Sequence, residues 1–98
     1  MSTPRITWSA AKARSNRRKH GVSFEEACSA FADDDALVVR DHLHSVGEER
    51  FHLLGLSDRL RLLVVVHAVQ LDGDLIRLIS ARPATPSERA HYGASRTP

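Results

Sequence analysis

Residues 75–82, LIRLISAR, set two arginines into an otherwise aliphatic run. Aliphatic and β-branched side chains at this density favour a half-buried β-strand. Asp72-Gly73, just upstream, follows a second aliphatic run over residues 59–70 and is a strong hairpin signal. With these two residues as the loop, Arg77 pairs with Ala68 and Arg82 pairs with Leu63. The pattern predicts a hairpin whose first strand lies in the middle of the sheet, because a nearly continuous aliphatic strand must be covered on both faces.

The same register assigns the polar side chains of this hairpin to faces, because side chains alternate along a strand. Arg61, Ser80 and Arg82 are predicted to share one face, whereas Arg77 lies on the other. Buried arginine is costly without a partner, so the face with Arg61 and Arg82 is either an internal ion-pair site or a pocket for an anion. A shift of one residue in the register would exchange the two faces.

Two consecutive helices are predicted before the strands. Ser9 is suited to cap a basic helix over residues 10–20, and Gly21 can close it. Ser23 and Glu26 then form a capping box at the start of a second helix. The apolar stripe of this second helix consists of Phe24, Ala27, Cys28 and Phe31. We expect the stripe to pack on the sheet and to hold both helices against one face.

The remaining segments complete an α+β fold. Further strands are predicted over residues 5–8, 36–40 and 49–56. Strands that follow one another along the chain imply a mainly antiparallel sheet. Residues 85–88, TPSE, place a cap, a proline and an acid at the start of a short C-terminal helix through Tyr92, followed by a frayed tail from residue 94. The prediction is one domain over residues 1–98, with an N-terminal strand and a helical hairpin packed on the sheet.

The net charge of +2 conceals a strong asymmetry along the chain. Residues 1–20 carry +6, residues 21–58 carry −7 and residues 59–98 carry +3. Basic blocks in a small domain suggest an anionic partner such as nucleic acid. One cysteine excludes an internal disulfide and fits a reducing compartment. Since no apolar run approaches the roughly 20 residues of a membrane span, we expect a cytoplasmic protein without membrane contact.

The loop predicted over residues 41–48 carries groups that can move protons near neutral pH. These groups are His42, His44, Ser45, Glu48 and, at the start of the next strand, Glu49. Asp41, His42 and His44 could instead ligate zinc. No cysteine or third histidine lies at zinc-ligand spacing nearby, which disfavours a metal site. The three consecutive aspartates at 33–35 are expected to form a solvated turn.

A polar stripe runs along the first predicted helix. It comprises Lys12, Asn16, Lys19 and His20, which fall on one side of a helix. Two interpretations remain open. The stripe is either a solvated face whose cations stabilise the helix C-terminus, or a contact surface for RNA or a protein partner.

Several segments together resemble the BrnT family of type II toxin–antitoxin toxins, small ribonucleases with a RelE-like fold. The segments are Trp8, Lys12, Asn16, Lys19-His20-Gly21, residues 22–27 (VSFEEA), Asp41, His44-Ser45, Glu48-Glu49-Arg50, Arg61, residues 76–82 (IRLISAR), Ala84, Glu88-Arg89 and Tyr92. The resemblance covers nearly the whole chain, and the ordered set is specific although each segment alone is weak. One departure is Ser9, where the family usually has Asp; both residues cap helices, so we expect little consequence.

The resemblance implies an endoribonuclease toxin that inhibits translation, needs no metal or other cofactor, and is neutralised by a cognate antitoxin. The expected antitoxin is a BrnA-like ribbon-helix-helix protein, through which the toxin would meet DNA only indirectly. Metal-free cleavage uses the ribose 2′-OH to attack its own phosphate, which requires a base, an acid and cations. The candidate catalytic residues are His44 for proton transfer, Glu49 as its orienter or as an alternative base, and Arg61, Arg77 and Arg82 for phosphate contacts. The candidate RNA-binding residues are Lys12, Lys19 and Ser80.

Two other classes of protein remain as alternatives. The first is a non-catalytic module that binds RNA or protein through the same basic helix and strand arginines. The second is a metal hydrolase that uses Asp41, His42 and His44. The other histidines are expected to be structural or exposed, and they are His20, His52, His67 and His91.

Overall fold

The computed structural model describes residues 4–96 as a five-stranded sheet with three α-helices. The strands are β1 (Arg5–Thr7), β2 (Leu37–Arg40), β3 (Glu49–Leu56), β4 (Leu62–Gln70) and β5 (Leu75–Pro83). The helices are α1 (Ala10–His20), α2 (Phe24–Ser29) and α3 (Pro86–Arg96), with short 3₁₀ turns at Ala30–Ala32 and Leu71–Gly73. The predicted α+β class with a mainly antiparallel sheet is confirmed. The prediction of one domain over residues 1–98 stays a prediction.

The sheet has the strand order β1-β5-β4-β3-β2, with β1 parallel to β5 and every other pair antiparallel. β4 is central, as its aliphatic sequence predicts. One face packs on α1 and α2 through a core that includes Phe24, Leu63 and Leu78. The other face is partly covered by α3, whose Tyr92 packs with Val64. Among residues 4–96, no helix is long and apolar enough to cross a membrane.

The starts and ends of the first two helices follow the local sequence signals. The Ser9 hydroxyl accepts a hydrogen bond from the Lys12 N–H at 3.3 Å, and Gly21, at φ +69°, donates its N–H to the Arg17 carbonyl. Ser23 likewise accepts from the Glu26 N–H at 3.0 Å. The Glu26 side chain, however, does not complete the predicted capping box. It turns into the fold and binds Arg61 and Ser57.

Asn16 extends the sheet beyond the short strand β1. The last residue of β1 pairs with Arg77, so the outer edge of β5 beyond that point has no neighbouring strand. The Asn16 amide takes this place: its Nδ2 donates to the Ala81 carbonyl at 2.8 Å and to the Val22 carbonyl at 3.0 Å, and its Oδ1 accepts from the Ala81 N–H at 3.0 Å. Asn16 is 6% exposed. A solvated face is therefore the wrong interpretation for this member of the polar stripe.

The predicted register of the β4–β5 hairpin holds only near the turn. Ala68 pairs with Arg77 as predicted, although the loop is longer than two residues and includes Leu71 and Asp72 at positive φ. A β-bulge then shifts the register between Val66 and His67, and Ile79 is the extra residue on β5. Beyond the bulge, Arg82 pairs with Val64 instead of Leu63. One extra residue exchanges the faces, since side chains alternate with period two.

The bulge separates two arginines that were predicted to converge. Arg61 binds Glu26 of α2 on the face covered by α1 and α2. Arg82 binds Glu88 of α3 on the opposite face. The prediction that Arg61 and Arg82 share a face is therefore wrong. Ser80 and Arg82 instead join Arg77 on the face of α3.

The last helix is longer than predicted and has a complete capping box. The Glu88 N–H donates to the Thr85 hydroxyl at 3.2 Å, and the Thr85 N–H donates to Glu88 Oε1 at 2.8 Å. The helix continues beyond Tyr92 to Arg96, so the predicted frayed tail is helical over residues 94–96, whereas residues 97–98 lie outside the described part of the chain. Its length has a tertiary cause, because Tyr92 donates its hydroxyl hydrogen to Asp33 at 2.5 Å and Arg96 pairs with Asp35. The aspartate turn is thus a docking point for α3 and not merely solvated.

Candidate functional site

Part of the α3 side of the sheet has no helix over it and carries polar side chains. Two rows of directly paired residues, which share a face, cross it: Arg50, Ala68 and Arg77 in the first row, and Val39, His52, Val66 and Ser80 in the second. We call these seven residues the open face. Arg82 lies in the next row, where α3 covers the sheet.

Glu48 holds together the cations of the first row. Its two carboxylate oxygens each lie 2.7 Å from Arg77 Nη2, and Arg50 Nε donates to Oε1 at 3.2 Å. Gln70 Nε2 adds a longer hydrogen bond of 3.4 Å. The hydrogen bond from Arg77 is the main cause that lowers the pKa of Glu48, against the opposing effect of desolvation. Glu48 is therefore a carboxylate at neutral pH, enclosed by donors at the edge of the open face.

Asp41 orients two histidines beside the second row. Its Oδ2 accepts a hydrogen bond from His44 Nδ1 at 2.9 Å and another from His52 Nε2 at 3.1 Å. Desolvation acts to raise the pKa of Asp41, but the hydrogen bonds from His52 and His44 outweigh it and lower the pKa to about 2. With Nδ1–H directed at the carboxylate, neutral His44 keeps Nε2 as an acceptor, and its side chain is 64% exposed.

Hydrogen bonds at the end of the loop keep the Asp41 carboxylate with its histidines close to the Glu48 carboxylate with its arginines. The Ser45 hydroxyl donates to the Asp41 carbonyl at 2.6 Å and accepts from the Arg50 N–H at 3.0 Å. The Asp41 N–H also donates to the Arg50 carbonyl at 2.8 Å. Because Arg50 and His52 are two residues apart on one face of β3, their Cα atoms are separated by about 7 Å. The loop therefore places a carboxylate with two histidines next to a carboxylate with two arginines.

The three predicted RNA-binding residues lie together at the outer edge of β5. Lys12 and Lys19 of α1 and Ser80 of β5 line a cleft of about 180 Å³. Ser15, Asn16, His20 and Ile79 complete its lining. We call this the α1–β5 cleft. Its chemistry is cationic and hydroxylic, and no carboxylate is among its lining residues.

A family model that describes the ribonuclease toxin BrnT of type II toxin–antitoxin systems matches residues 8–88. The chain belongs to the BrnT family. It is accordingly a ribonuclease toxin, and its type II system supplies a protein antitoxin as its partner. The resemblance drawn from the sequence motifs is confirmed.

A solved BrnT structure has the same fold. The crystal structure of the Brucella abortus ribonuclease toxin BrnT, at 1.1 Å resolution, superposes with a TM-score of 0.64. The match covers 85% of this chain and 99% of that chain, with 22% sequence identity. At this identity the likeness shows the fold alone. No curated protein matches the chain.

Arg61 of this BrnT-family toxin lies away from the open face. Its Nε donates to Glu26 Oε2 at 2.9 Å, its Nη2 contacts Glu26 Oε1, and Ser57 donates to the same carboxylate at 2.7 Å. Glu26 is only 4% exposed. The hydrogen bond with Glu26 raises the pKa of Arg61. The structure thus gives Arg61 a partner inside the toxin and does not bring it near His44.

The positions of Arg82 and Glu49 also differ from the positions that their predicted catalytic roles assumed. Arg82 forms a bidentate ion pair with Glu88, with N–O distances of 2.8 and 2.9 Å. Arg82 lies one row from Ser80 on the same face of the sheet. Glu49 pairs with Val69, on the face of α1 and α2, and does not contact His44. Asp41 has the orienting position that was predicted for Glu49.

Four residues in or beside the open face were not among the candidate catalytic or RNA-binding residues: Asp41, Glu48, Arg50 and His52. Of these, Glu48 was predicted only as one of the proton-moving groups of the loop, and Asp41 only as an alternative zinc ligand. His52 was expected to be structural or exposed, yet it shares Asp41 with His44. Alternation along residues 49–56 would have put Arg50 and His52 on one face and Glu49 on the other. His67, by contrast, is buried and packs on Phe31 and Phe51, and burial lowers its pKa.

An apolar groove of about 450 Å³ adjoins the Asp41 group of the toxin. Leu37, Val39, Leu54 and Val64 form its floor, with Asp41, His52 and His91 among its other lining residues. Within residues 4–96, no three His, Cys, Asp or Glu side chains converge as metal ligands would. His42 contacts Arg40 at 3.3 Å and is not joined to Asp41 and His44.

Proposed function

We propose that the toxin cleaves RNA without a metal ion, through attack of the ribose 2′-OH on the adjacent phosphate, and that the open face forms its active site together with Asp41, His44 and Glu48. The supporting observation is the pair of histidines on Asp41 beside the arginines on Glu48. These groups supply the base, the acid and the cations that this reaction needs.

Proton transfer is assigned to the two histidines. As the 2′-oxygen bonds to phosphorus, one imidazole removes the 2′-hydroxyl proton, and the other protonates the 5′-oxygen as the P–O5′ bond breaks. The products are a 2′,3′-cyclic phosphate and a 5′-hydroxyl. Asp41 orients both rings, because it accepts a hydrogen bond from each, and its negative charge stabilises the protonated ring that acts as the acid.

The arginines of this face are assigned to stabilise the negative charge that develops on the oxygens of the pentacoordinate phosphorus. Arg77 and Arg50 are held by Glu48, and Arg82 stands one row beyond Ser80. Guanidinium groups suit this role because their donors match two phosphate oxygens at once. Lys12, Lys19 and Ser80 bind the RNA backbone beside them. Arg61 and Glu49, although predicted as catalytic, are left out of this assignment by their position on the other face.

The biological part of the proposal is inhibition of translation in the cytoplasm by an RNA-cleaving toxin of RelE-like fold. A BrnA-like antitoxin of ribbon-helix-helix type neutralises it, and the toxin reaches DNA only through that antitoxin. Family membership supports the toxin and the protein partner. The competing function is a non-catalytic module that binds RNA or protein.

An RNA digest with purified toxin tests the mechanism. We expect cleavage with and without EDTA, cyclic phosphate ends, and no cleavage when the 2′-hydroxyl at the cut site is replaced by hydrogen. His44→Ala should lower kcat by about 10²–10⁴-fold, the usual worth of one acid–base group. His42→Ala is the matched control, an exposed histidine of the same loop, and should retain activity.

The outcomes separate the candidate functions. Activity abolished by EDTA and restored by a divalent metal would favour the metal hydrolase. Binding of RNA without any cleavage would favour the non-catalytic module. Equal losses in His44→Ala and His42→Ala would remove the assignment to His44.

A further inference from the structure

The cations of the α1–β5 cleft differ from four arginines in and beside the sheet in having no acidic partner among residues 4–96. Arg50 and Arg77 share Glu48, Arg61 binds Glu26 and Arg82 binds Glu88. Lys12 and Lys19 are exposed, and no ion pair within residues 4–96 involves them. An anion can therefore enter this cleft without displacing a carboxylate, which it must do at each of these four arginines.

The floor of the cleft is rigid. Asn16, at its base, has both Nδ2 hydrogens and its Oδ1 engaged with Val22 and Ala81. Ile79, the bulged residue of β5, and Ser80 form the opposite wall. Bulges redirect side chains and are common beside functional sites. The hydroxyl and ammonium groups around this floor are thus available to an incoming ligand.

Ser80 connects the cleft with the open face. It pairs with Val66, which in turn pairs with His52, so the three residues form one row across β5, β4 and β3. Two strand spacings separate Ser80 from His52, or roughly 10 Å. One RNA strand can therefore place a phosphate in the cleft and a neighbouring phosphate beside the histidines.

We infer that the α1–β5 cleft is a phosphate subsite for the RNA nucleotide adjacent to the cut, formed by Lys12, Lys19 and Ser80. The inference rests on the proposed function for the direction of the RNA chain, but binding of a phosphate does not depend on cleavage. The subsite acts in substrate binding and not in chemistry. It also sets a minimum substrate length, because an RNA with only the scissile phosphate does not reach it.

Binding of a non-cleavable RNA tests the subsite directly. The probe is a labelled 2′-O-methyl trinucleotide, measured by fluorescence anisotropy over a range of salt concentrations. For Lys12→Gln with Lys19→Gln, we expect weaker binding and a slope of log K against log salt that is shallower by about 0.7, the value for one phosphate on a single strand. The matched control is Arg14→Gln with Arg18→Gln, which removes the same charge from an exposed part of α1 outside the cleft. Equal effects of the two double variants would overturn the inference, because a general field would explain both.

Cleavage kinetics provide the second test. With a trinucleotide that has two phosphates, the cleft variant should raise KM and leave kcat unchanged. With a dinucleotide that has one phosphate, it should behave like the unmodified toxin. A loss of kcat, or an equal effect on both substrates, would contradict a subsite. If the toxin cleaves neither substrate, the proposed function fails while the anisotropy result still decides the subsite.

Discussion

At the scale of single residues, the partner of an arginine indicates whether that arginine acts in folding or in RNA binding. Glu26 is almost fully buried, and its carboxylate is held by Arg61 and Ser57. Removing one member of such a pair leaves a buried charge without compensation. The resulting loss of folding stability is larger than the stability that the intact pair contributes. The Arg61 side chain keeps substantial exposure, at 38%, which reduces this cost through solvent screening.

We therefore predict that Arg61→Gln acts on stability and not on cleavage. The free energy of unfolding should fall by about 2 kcal/mol, below the range for fully buried pairs because of the exposure. Urea unfolding measures this change, and Arg59→Gln, an exposed neighbour, should shift it by less than about 0.5 kcal/mol. If Arg61→Gln abolished cleavage at unchanged stability, the role predicted from the sequence would be restored.

At this scale, hydrogen bonds between residues close in sequence could be predicted, whereas those between residues far apart in sequence could not. Ser9, Gly21 and Ser23 act on backbone groups within four residues, so the sequence around them was sufficient. Asn16 binds Ala81, which is 65 positions away, and Glu26 binds Arg61, which is 35 positions away. Such contacts depend on the fold, and residue types alone did not identify them.

At the scale of elements, α3 is attached to β5 by one carboxylate with two tasks. Glu88 caps the helix through the Thr85 N–H and binds Arg82 with both oxygens. The hydrogen bonds from Arg82 are the main cause that lowers the pKa of Glu88, to about 2. The motif TPSE predicted a cap and an acid in the first turn of the helix, which is where the first task is performed. The bulge that brings Arg82 to this face has no glycine or proline signal in LISAR, so the second task was not predictable.

Because the folded pKa of Glu88 is lower than its unfolded value, its contribution to stability is present above about pH 4.3. It is lost as the pH falls from there through about 2. We predict that Glu88→Gln lowers the free energy of unfolding by about 1 kcal/mol at neutral pH, and that the difference disappears toward pH 2. Urea titrations across this range measure it, with Asp58→Asn, an exposed turn residue, as the control. A difference that stayed constant with pH would show that the carboxylate charge is not responsible.

At the scale of the whole molecule, the charge asymmetry of the sequence is partly neutralised by folding. Acids from the −7 segment bind arginines from the +3 segment, in the pairs Glu26–Arg61, Glu48–Arg77 and Asp35–Arg96. No ion pair within residues 4–96 uses a cation of α1. The charge of the basic helix is therefore not neutralised by acids of residues 4–96, as its sequence suggested, whereas Arg61, Arg77 and Arg82 are paired.

We predict that the antitoxin covers this basic surface and competes with RNA for it. Lys12→Glu with Lys19→Glu should weaken antitoxin binding, and more strongly at low salt, where screening is slight. The complex should also melt at a higher temperature than the free toxin, because the antitoxin binds only the folded state. Titrations at two ionic strengths measure the first effect.

A variant of the apolar groove serves as the comparison for this prediction. Val39, which is 64% exposed, can be changed to Asp without disturbing α1. Unchanged affinity in the lysine variant, together with a loss in Val39→Asp, would place the antitoxin on the groove. The basic helix would then serve RNA alone.

The bulge at Ile79 decides which face of the sheet Arg82 occupies. If Ile79 were paired in an even ladder, Arg82 would lie opposite Leu63 and point toward α1, and the bond between Asn16 and Ala81 would be lost. Loss of Ile79 would instead leave Ser80 opposite Val66 and Arg82 opposite Val64, so both would stay on the face of α3. Related toxins should therefore accept other residues at this position, and those that lack the extra residue should still pair this arginine with the acid of the last helix.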